Sequence, residues 1–568
     1  MDISTSTAAD RIRSAFFLRT VKRTLPLCLA ASLLAACSTP EPEPDVAEQT
    51  QAIVEVFETP VAYSIRRLDS LEIEHFLTEH SEFRKDSTGI REFYQRRKYQ
   101  YAWFVGDSLS QAAAGFFDLV NGADTAFNEM AYARNKLDEL LTHGRVQGKD
   151  TLTCDSCVKR LELALTAQFF RFADTKYSGV IGKDLRELDW FIPRRKKDYD
   201  RLLDSLVAGR MDLSLMEPVH PQYSLLKTQL KRYRDLDSLP WLILELEGKK
   251  KKLEPDGKDA VVPAIRRRLA FLGDAASVLD SVDQYALRYD SMLVEGVKRF
   301  QTRHGLHPDG VIGAGVLKQL NVCPADRART ILVNMERLRW VPERTAPNQL
   351  LVNIPEFRLH VYEADTEAWS MNVVVGAAAT RTVIFSDSLS SIVFSPTWTV
   401  PVSIIRGEIL PAMKKDPNYL ARKGMEVIGG TDALPRIRQK PGAGNALGRV
   451  KFLFPNSFSI YFHDTPSKSF FARESRAFSH GCIRLSEPQR FAEYLLRNDT
   501  SWTSARVKKA MFSGKEEHVA LSEKRPVSIG YFTAWVGPKG EVNFRDDVYG
   551  HDVRLATELF AEPVLAAR

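Results

Sequence analysis

The sequence is poor in cysteine, in long apolar runs and in excess charge, and each shortage excludes a class of protein. Six cysteines in 568 residues are too few for a disulfide-framework scaffold. The apolar run over residues 25–36 is too short to cross a bilayer, and no second hydrophobic span or internal repeat follows it. The formal net charge is +7, of which residues 1–36 contribute three, and the remaining +4 or so is no nucleic-acid signature. What remains is a globular chain, 44% hydrophobic and 27% charged, long enough for three or four domains.

Residues 1–36 have the pattern of a signal peptide. Basic residues between Arg11 and Arg23 precede the apolar run, which ends at Leu34-Ala35-Ala36-Cys37. Small residues leading into a cysteine resemble the lipobox of bacterial lipoproteins, and this resemblance implies lipidation of Cys37, a membrane anchor and a place on the periplasmic side of the envelope. The alternative is an ordinary exported protein that is cleaved nearby. Residues 37–59 are rich in Pro and Glu, which is typical of a flexible tether.

The Cys154-Asp155-Ser156-Cys157 motif leaves three interpretations open. It fits a local disulfide in an oxidising compartment, a redox pair, or half of a zinc site. No second CxxC motif and no nearby histidine pair supports zinc, so we favour a structural pair or two ordinary thiols and predict no metal and no cofactor.

The middle of the chain predicts two helical domains. Residues 60–247 show helical periodicity, which indicates an α-helical scaffold, and the lysine-rich stretch 248–257 is expected to be a linker. Residues 258–322 contain three short apolar stripes, around Ile265, Val297 and Val316, which predict three small helices with one core.

The third of these helices follows a stretch with recognisable landmarks. Phe300-Gln301, Gly305-Leu306 and Asp309-Gly310 resemble those of the three-helix peptidoglycan-binding domain. Two departures, an acidic insertion over residues 274–290 and Gly315-Val316 in place of the usual threonine, leave the implied fold intact but put glycan binding in doubt.

From Leu350 onward the apolar period changes to two, which predicts a β-rich domain. Alternation over Phe458–His463 predicts a strand on which Tyr461 and His463 share one face. Residues 486–489 have the pattern of a capping box, which predicts the start of a helix, and residues 527–536 are predicted to form a last strand.

This β-rich region contains the candidate catalytic residues. Cys482, in the run Ser479-His480-Gly481-Cys482-Ile483-Arg484, is a candidate nucleophile, because a thiol near a base or aligned amides can be activated to a thiolate. His463 is a better candidate base than His480, which lies too close along the chain. Gly481 lets the backbone amides turn toward one point, as an oxyanion site requires.

The combination of His463, fifteen intervening residues and the Ser479–Arg484 run resembles the signature of the L,D-transpeptidase (YkuD-type) catalytic domain. Further likeness over residues 352–355, 375–376, 441–448 and 463–466 indicates the long branch that also bears a scaffold and a peptidoglycan-binding domain. The resemblance thus implies a multidomain α+β protein. Its expected parts are the scaffold, the three-helix domain, a catalytic domain over 348–500 with a lid inserted at about 401–448, and a C-terminal extension over 501–568 that completes the catalytic region.

The resemblance also implies roles for individual residues. Cys482 would be acylated by a tetrapeptide stem, with His463 as base, oriented by the backbone carbonyl of Asp464. The amides of Gly481 and Cys482, with His480 alongside, would form the oxyanion site. The predicted substrate-binding residues are Arg484, Ser479, Tyr461 and Trp398. The acyl group would then pass to an amine of a neighbouring stem as a 3-3 crosslink, and carbapenems would acylate the same thiol.

Several alternatives stay open at this point. Hydrolysis of the thioester would give an L,D-carboxypeptidase, attack by a protein lysine would anchor a protein to the wall, and a decayed site would leave a wall-binding lipoprotein without activity. The insertion has a charge balance of +4 between Pro401 and Gly448, which suits either a basic lid over the thioester or a merely solvated surface. A papain-like protease is unsupported, because the cysteine of such proteases lies far upstream of the histidine, whereas Cys482 follows His463 closely in this chain. Cell wall synthases are possible partners of the scaffold.

Overall fold

The structure is a computed structural model that describes residues 65–105, 108–121, 155–179, 181, 184–194, 197–210, 219–275, 287–344, 346–364 and 366–560. The predicted signal peptide, the tether, Cys37 and Cys154 lie outside the described residues. Among the helices of these ranges, none is both long and apolar enough to cross a membrane.

The N-terminal part of the described chain is helical, as the sequence predicts. Its helices are α1 (Ser70–Glu79), α2 (Ser87–Arg96), α3 (Gln111–Asn121), α4 (Asp155–Ala173), α5 (Tyr199–Val207) and α6 (Gln222–Asp237), with a small hairpin of β1 (Phe104–Val105) and β2 (Ser108–Leu109). Helix α1 begins with a capping box, in which the Asp69 carboxylate accepts from the amide of Leu71 and the Glu72 carboxylate accepts from the amide of Asp69. Helix α4 is buried on nearly every side and forms the centre of this region.

A buried carboxylate joins α4 to the β1 hairpin. Glu162 accepts hydrogen bonds from the backbone amides of Ala102 at 2.6 Å and Trp103 at 3.0 Å, and from the hydroxyl of Tyr94 at 2.9 Å. Burial raises the pKa of Glu162 to about 7, although these donors oppose the shift. The sequence pattern did not single out Glu162.

The three-helix domain consists of α7 (Val262–Leu272), α8 (Ser291–Arg303) and α9 (Ala314–Leu320), which share one core as predicted. The expectation that residues 248–257 form a linker is wrong. Leu253 is buried in this core and exchanges two backbone hydrogen bonds with Ile312, at 2.9 and 3.0 Å. The Pro-Asp-Gly turn after Leu253 folds the chain back onto the domain. The polar stretch is therefore part of the domain, and Leu253 is its residue in the core.

Helix α10 (Pro324–Trp340) connects the domains and was not predicted. It is buried on almost all sides, and it ties the helical region to the C-terminal part of the chain. Asn334 donates to the hydroxyl of Thr533 at 2.7 Å and accepts from the Thr533 amide at 2.9 Å, while Arg337 pairs with Asp552 at 2.6 Å.

A nine-stranded sheet forms the β-rich domain. Its strands are β3 (Leu350–Asn353), β4 (Arg358–Glu363), β5 (Thr366–Gly376), β6 (Phe385–Phe394), β10 (Val450–Leu453), β11 (Phe462–His463), β12 (Ala477–Ser479), β13 (Ile483–Leu485) and β14 (Glu517–Gly530). Their order is β12-β5-β13-β11-β10-β6-β14-β3-β4, and β4 also pairs with β5, so the sheet closes on itself. Strand β14, which comes from the C-terminal extension, lies inside the sheet between β6 and β3.

Three local predictions in this domain are wrong. The predicted strand Phe458–His463 is reduced to β11, because the Asn456 side chain bonds the backbone of residues 454, 458 and 460 and Ser459 adopts a left-handed conformation with φ of 57°. The expected last strand is divided between the end of β14 and β15 (Ala534–Val536), which pairs with β16 (Val542–Phe544). The helix α14 (Pro488–Leu496) begins after Glu487 without a side-chain cap, so there is no capping box.

The insertion between β6 and β10 forms a small unit with its own core, built on Val400, Ile405, Ile409 and Ile437. It contains β7 (Trp398–Thr399), α11 (Val402–Ile404), a π-helical turn (Ile405–Ile409), α12 (Leu410–Lys415), α13 (Tyr419–Arg422), β8 (Met425–Thr431) and β9 (Leu434–Gln439). Its strands make a separate sheet in the order β7-β9-β8. Beyond α14, helices α15 (Ser504–Phe512) and α16 (His551–Leu559) complete the described chain.

Candidate active site

Parallel pairing of β11 with β13 brings the two halves of the sequence motif together. Phe462 lies opposite Ile483, and His463 lies opposite Arg484. The amide of Ile483 donates to the carbonyl of Tyr461 at 3.2 Å and extends the same pairing by one step. Because Phe462 and Ile483 are buried in the core, alternation directs the neighbouring side chains Tyr461, His463, Cys482 and Arg484 to the other face of the sheet.

His463 is buried and held by the residue that follows it. Its Nδ1 donates to the backbone carbonyl of Asp464 at 2.5 Å, which is the contact implied by the resemblance. Burial lowers the pKa of His463 to about 4, and the positive charge of Arg484 acts in the same direction. The imidazole is therefore neutral near pH 7 and can accept a proton.

The Asp464 side chain holds its own backbone in place. It accepts from the amide of Arg449 at 2.8 Å and from Lys468 Nζ at 2.6 Å. Gly448 adopts φ of 62°, and a β-carbon there would lie 2.3 Å from an Asp464 oxygen. The glycine in the 445–448 motif is thus explained by the close approach of this carboxylate.

Cys482 is half-buried, and Ser459 and Tyr461, in the segment before β11, contact its sulfur. The thiol donates to the carbonyl of Ser459 at 3.7 Å. Burial raises the pKa of Cys482, while hydrogen bonds from the backbone and hydroxyl of Tyr461 and the charge of Arg484 oppose that rise. Burial also raises the pKa of Tyr461, so this hydroxyl stays protonated and can donate to the sulfur.

The turn that carries Cys482 is fixed by hydrogen bonds of its own. Gly481 has φ of 112°, which favours glycine, and its carbonyl accepts from Thr382 Oγ1 at 2.8 Å. Ser479 Oγ donates to the Cys482 carbonyl at 2.5 Å and accepts from the Gly481 amide at 3.2 Å. The Gly481 amide would have to leave Ser479 before it could bind an oxyanion.

The insertion touches the motif at two points. Trp398 on β7 hydrogen bonds to Tyr461, and Glu408 in the π-helical turn pairs with His480 at 2.8 Å between its Oε1 and Nε2 of the imidazole. The positive charge predicted for the insertion is partly neutralised within it, because Arg422 pairs with Asp416 and both Arg438 and Lys440 pair with Glu426.

The structure gathers the predicted site residues Trp398, Tyr461, His463, Ser479, His480, Gly481, Cys482 and Arg484 around the ends of β11 and β13; Cys37 lies outside the described residues. Sequence reasoning missed Thr382 and counted Glu408 only as a charge of the insertion. Both residues are distant from the motif along the chain, so no local pattern could have indicated them. Within the described ranges, no group of three His, Cys, Asp or Glu side chains could hold a metal ion.

Comparison with known protein families gives three matches along the chain. Residues 347–529 match the YkuD family, described as "L,D-transpeptidase catalytic domain". Residues 88–230 match a family described as "Scaffold domain", and residues 258–320 match one described as "Putative peptidoglycan binding domain". These matches confirm the resemblance stated from the sequence and the multidomain α+β organisation.

A curated relative from Haemophilus influenzae is named "Putative L,D-transpeptidase". It is 33% identical over 238 residues, which are 39% of this chain and 48% of that protein, so the match spans about half the length of the relative.

Solved structures with weaker similarity include two mycobacterial proteins. The L,D-transpeptidase from Mycobacterium smegmatis is 14% identical, with 32% of this chain and 58% of that one covered and a TM-score of 0.19. L,D-transpeptidase 3 from Mycobacterium tuberculosis is 15% identical, with 33% and 63% covered and a TM-score of 0.17.

Proposed function

We propose that this protein, which combines an L,D-transpeptidase catalytic domain with a peptidoglycan-binding domain and a scaffold domain, joins peptidoglycan stem peptides by acyl transfer through Cys482. The observation that supports this best is the pairing of β11 with β13, which puts a thiol, a neutral buried imidazole, a phenol and a guanidinium on one face of the sheet.

In the first half-reaction, Cys482 attacks the carbonyl that precedes the terminal D-alanine of a tetrapeptide stem. His463 takes the thiol proton as the carbon–sulfur bond forms, and it returns that proton to the nitrogen of the leaving D-alanine. The amide of Cys482, and that of Gly481 once released from Ser479, would bind the developing oxyanion, with His480 alongside. The product is a thioester on Cys482 and free D-alanine.

In the second half-reaction, an amine of a neighbouring stem attacks the thioester. His463 accepts a proton from this amine and gives it to the departing sulfur, which restores the thiol. When the amine belongs to the side chain of a diamino acid at the third position, the product is a 3-3 crosslink. Arg484 and Ser479 would hold the donor stem, with Tyr461 and Trp398 beside it.

The insertion serves as a lid in this proposal. Its two contacts with the motif, Trp398 to Tyr461 and Glu408 to His480, join it to the catalytic turn. A lid over the thioester would keep water away and favour attack by an amine over hydrolysis. Carbapenems, which acylate thiols in the same way, are expected to react with Cys482.

The location follows from the substrate and from the N-terminal sequence. Peptidoglycan-related domains suit a protein outside the cytoplasm, and the lipobox-like Leu34–Cys37 run supports lipidation of Cys37 and anchoring on the periplasmic side of the envelope. The scaffold domain would be free to dock a cell wall synthase.

Product analysis tests the proposal. The purified chain is incubated with disaccharide tetrapeptides, and the products are separated and weighed by mass spectrometry. We expect 3-3 linked dimers with release of D-alanine. Tripeptide alone would identify an L,D-carboxypeptidase, and no reaction, with sacculus binding retained, would identify a wall-binding protein without activity. Both outcomes reject transpeptidation.

A further inference from the structure

A cleft of about 580 Å³ lies beside the catalytic motif and has no role so far. Its walls come from the end of the insertion before β10, the loop after β11, the start of α14 and the end of α15. The volume is within the range of clefts that hold small molecules and short peptides.

The cleft begins where the two catalytic strands end. Asp464, which lines it, directly follows His463 and carries the carbonyl that holds the imidazole. Ser486, on the other side, is four residues beyond Cys482, a distance of about 13 Å for extended chain. A stem peptide of three or four residues spans about the same length, so one seated here could extend an amine to the thioester from the side of the base.

Charges of both signs line the cleft. Lys468 pairs with Asp464 at 2.6 Å, and Arg490 pairs with Glu487 at 3.0 Å. Glu493 accepts from neutral groups, Gln489 at 2.9 Å and Ser504 at 2.6 Å. The Arg490–Glu487 pair is exposed on both sides and contributes little to stability, so its members can exchange partners with a bound ligand, whereas the carboxylate that pairs with Lys468 is buried.

An acceptor stem presents the same mixture of charges. It carries carboxylates along its length and an amine on its diamino acid, so it suits a lining of mixed sign better than a polyanion or an apolar molecule does. The donor stem must lie with its carbonyl at Cys482, where the insertion meets the motif through Trp398 and Glu408. The cleft lies beyond those contacts and past the base.

We propose that this cleft binds the acceptor stem peptide, with Arg490 directed to its carboxylates. This inference rests on the proposed acyl transfer, and it assigns the second substrate of that reaction to the ends of β11 and β13. Arg490 contacts no part of the motif in the described chain and is therefore an acceptor-binding residue in this account.

The test separates the two half-reactions in the full-length protein. Acylation is followed by intact mass with a donor tetrapeptide whose diamino-acid side-chain amine is acetylated, so that it cannot act as acceptor. Transfer is followed as dimer formation while the concentration of a tripeptide acceptor is varied. For Arg490→Ala we expect acylation within two-fold of wild type, a KM for the acceptor about ten-fold higher, and a larger share of hydrolysed tripeptide. Arg490→Lys should restore the KM to within about three-fold, and Arg490→Glu should raise it further.

Arg497→Ala is the matched control. Arg497 follows the same helix, lies 4.1 Å from the Tyr494 ring and pairs with Glu363 at 2.6 Å, while Arg490 lies 4.1 Å from the Trp369 ring and pairs with Glu487 at 3.0 Å. We expect no change in either half-reaction for this control. Slower acylation with an unchanged acceptor KM in Arg490→Ala would make the cleft a donor site, and no change in either step would leave it without substrate; both overturn the inference. Absence of any acyl-enzyme in the wild type would instead reject the proposed function itself.

Discussion

His463 donates a hydrogen bond from Nδ1 to the backbone carbonyl of Asp464 at 2.5 Å, so the proton of the neutral imidazole is on Nδ1. A carbonyl can only accept, and this contact therefore leaves Nε2 as the nitrogen that can take a proton. The Asp464 carboxylate, held by the Arg449 amide and Lys468, fixes the backbone that makes this contact. The tautomer of the proposed base is thus set by residues outside the motif.

The pH dependence of acylation follows from this arrangement. Because burial lowers the pKa of His463 to about 4, the imidazole loses its basic form only when the pH falls to about 4. Because burial raises the pKa of Cys482, the thiol stays protonated at neutral pH and acylation should still increase above pH 8. We expect the acid limb of the acylation rate, measured by intact mass after short reactions with a carbapenem, to have its midpoint near pH 4. A midpoint near pH 6.5 would contradict a buried neutral His463.

Tyr461→Phe removes the hydroxyl that donates to the sulfur. A hydrogen bond to a charged group is worth about 1.5–3 kcal/mol, so we expect the pKa of Cys482 to rise by about one to two units and acylation at pH 7 to slow by about ten-fold. The thiol pKa is measured from the pH dependence of alkylation by iodoacetamide. Tyr494→Phe, on α14, is the control and should leave both quantities unchanged. An unaltered thiol pKa in Tyr461→Phe would remove Tyr461 from the account.

Glu408→Gln breaks the pairing between the insertion and His480. Both side chains are half-exposed, and such a pair contributes roughly 0–1 kcal/mol, so we expect the thermal midpoint to change little. The ratio of crosslinked to hydrolysed product should fall several-fold, because a looser lid admits water to the thioester. Glu426→Gln, which removes a carboxylate that pairs with Arg438 and Lys440 within the insertion, is the matched control. Equal ratios in the two variants would show that the contact with His480 has no part in excluding water.

Asn334→Ala tests how the central helix supports the domain. The substitution leaves the buried amide of Thr533 without its acceptor at 2.9 Å. The Thr533 hydroxyl loses the Asn334 donor at 2.7 Å but still donates to Asp552 at 2.6 Å. An unsatisfied buried group costs about 1–3 kcal/mol, so we expect the free energy of unfolding to fall by about 2–3 kcal/mol in urea titrations. Thr302→Ala, whose hydroxyl only bonds within its own helix, should be close to neutral. A stability loss for Asn334→Ala no larger than that of the control would contradict the role of α10.

The parts of the fold that could be predicted were those whose pattern is local. The three small helices have apolar stripes at helical spacing, and the turn at Gly481 is indicated by the glycine and its neighbours in one short run. Helix α10 was missed because polar and charged residues occupy many of its buried positions, so its polar residues do not mark one exposed face. Leu253 was assigned to a linker because one apolar side chain among lysines gives no periodicity, although it pairs with Ile312.

The predicted strand at 458–463 failed for a different reason. Its alternation of apolar and polar residues is real, but the Asn456 side chain competes for the backbone groups that a strand would use, and only Phe462–His463 remains extended in the sheet. Within the site, the residues of the motif could be predicted from the sequence. Thr382 and Glu408 could not, because they belong to chain segments about 100 and 72 residues upstream of the motif residues they contact. Contacts of that kind depend on tertiary structure and leave no local signal.

Intact mass spectrometry of the acyl-enzyme tests the central claim most directly. The full chain is mixed with a tetrapeptide stem whose diamino-acid side-chain amine is acetylated, so that no acceptor is present. The reaction is quenched in acid, and the adduct is located by peptide mapping. We expect an adduct equal to the acetylated tripeptide acyl group on Cys482, its absence in Cys482→Ala, and its slow formation in His463→Gln. Dimer formation from unmodified stems by Cys482→Ala at the wild-type rate, or an adduct on any other residue, would contradict the central claim.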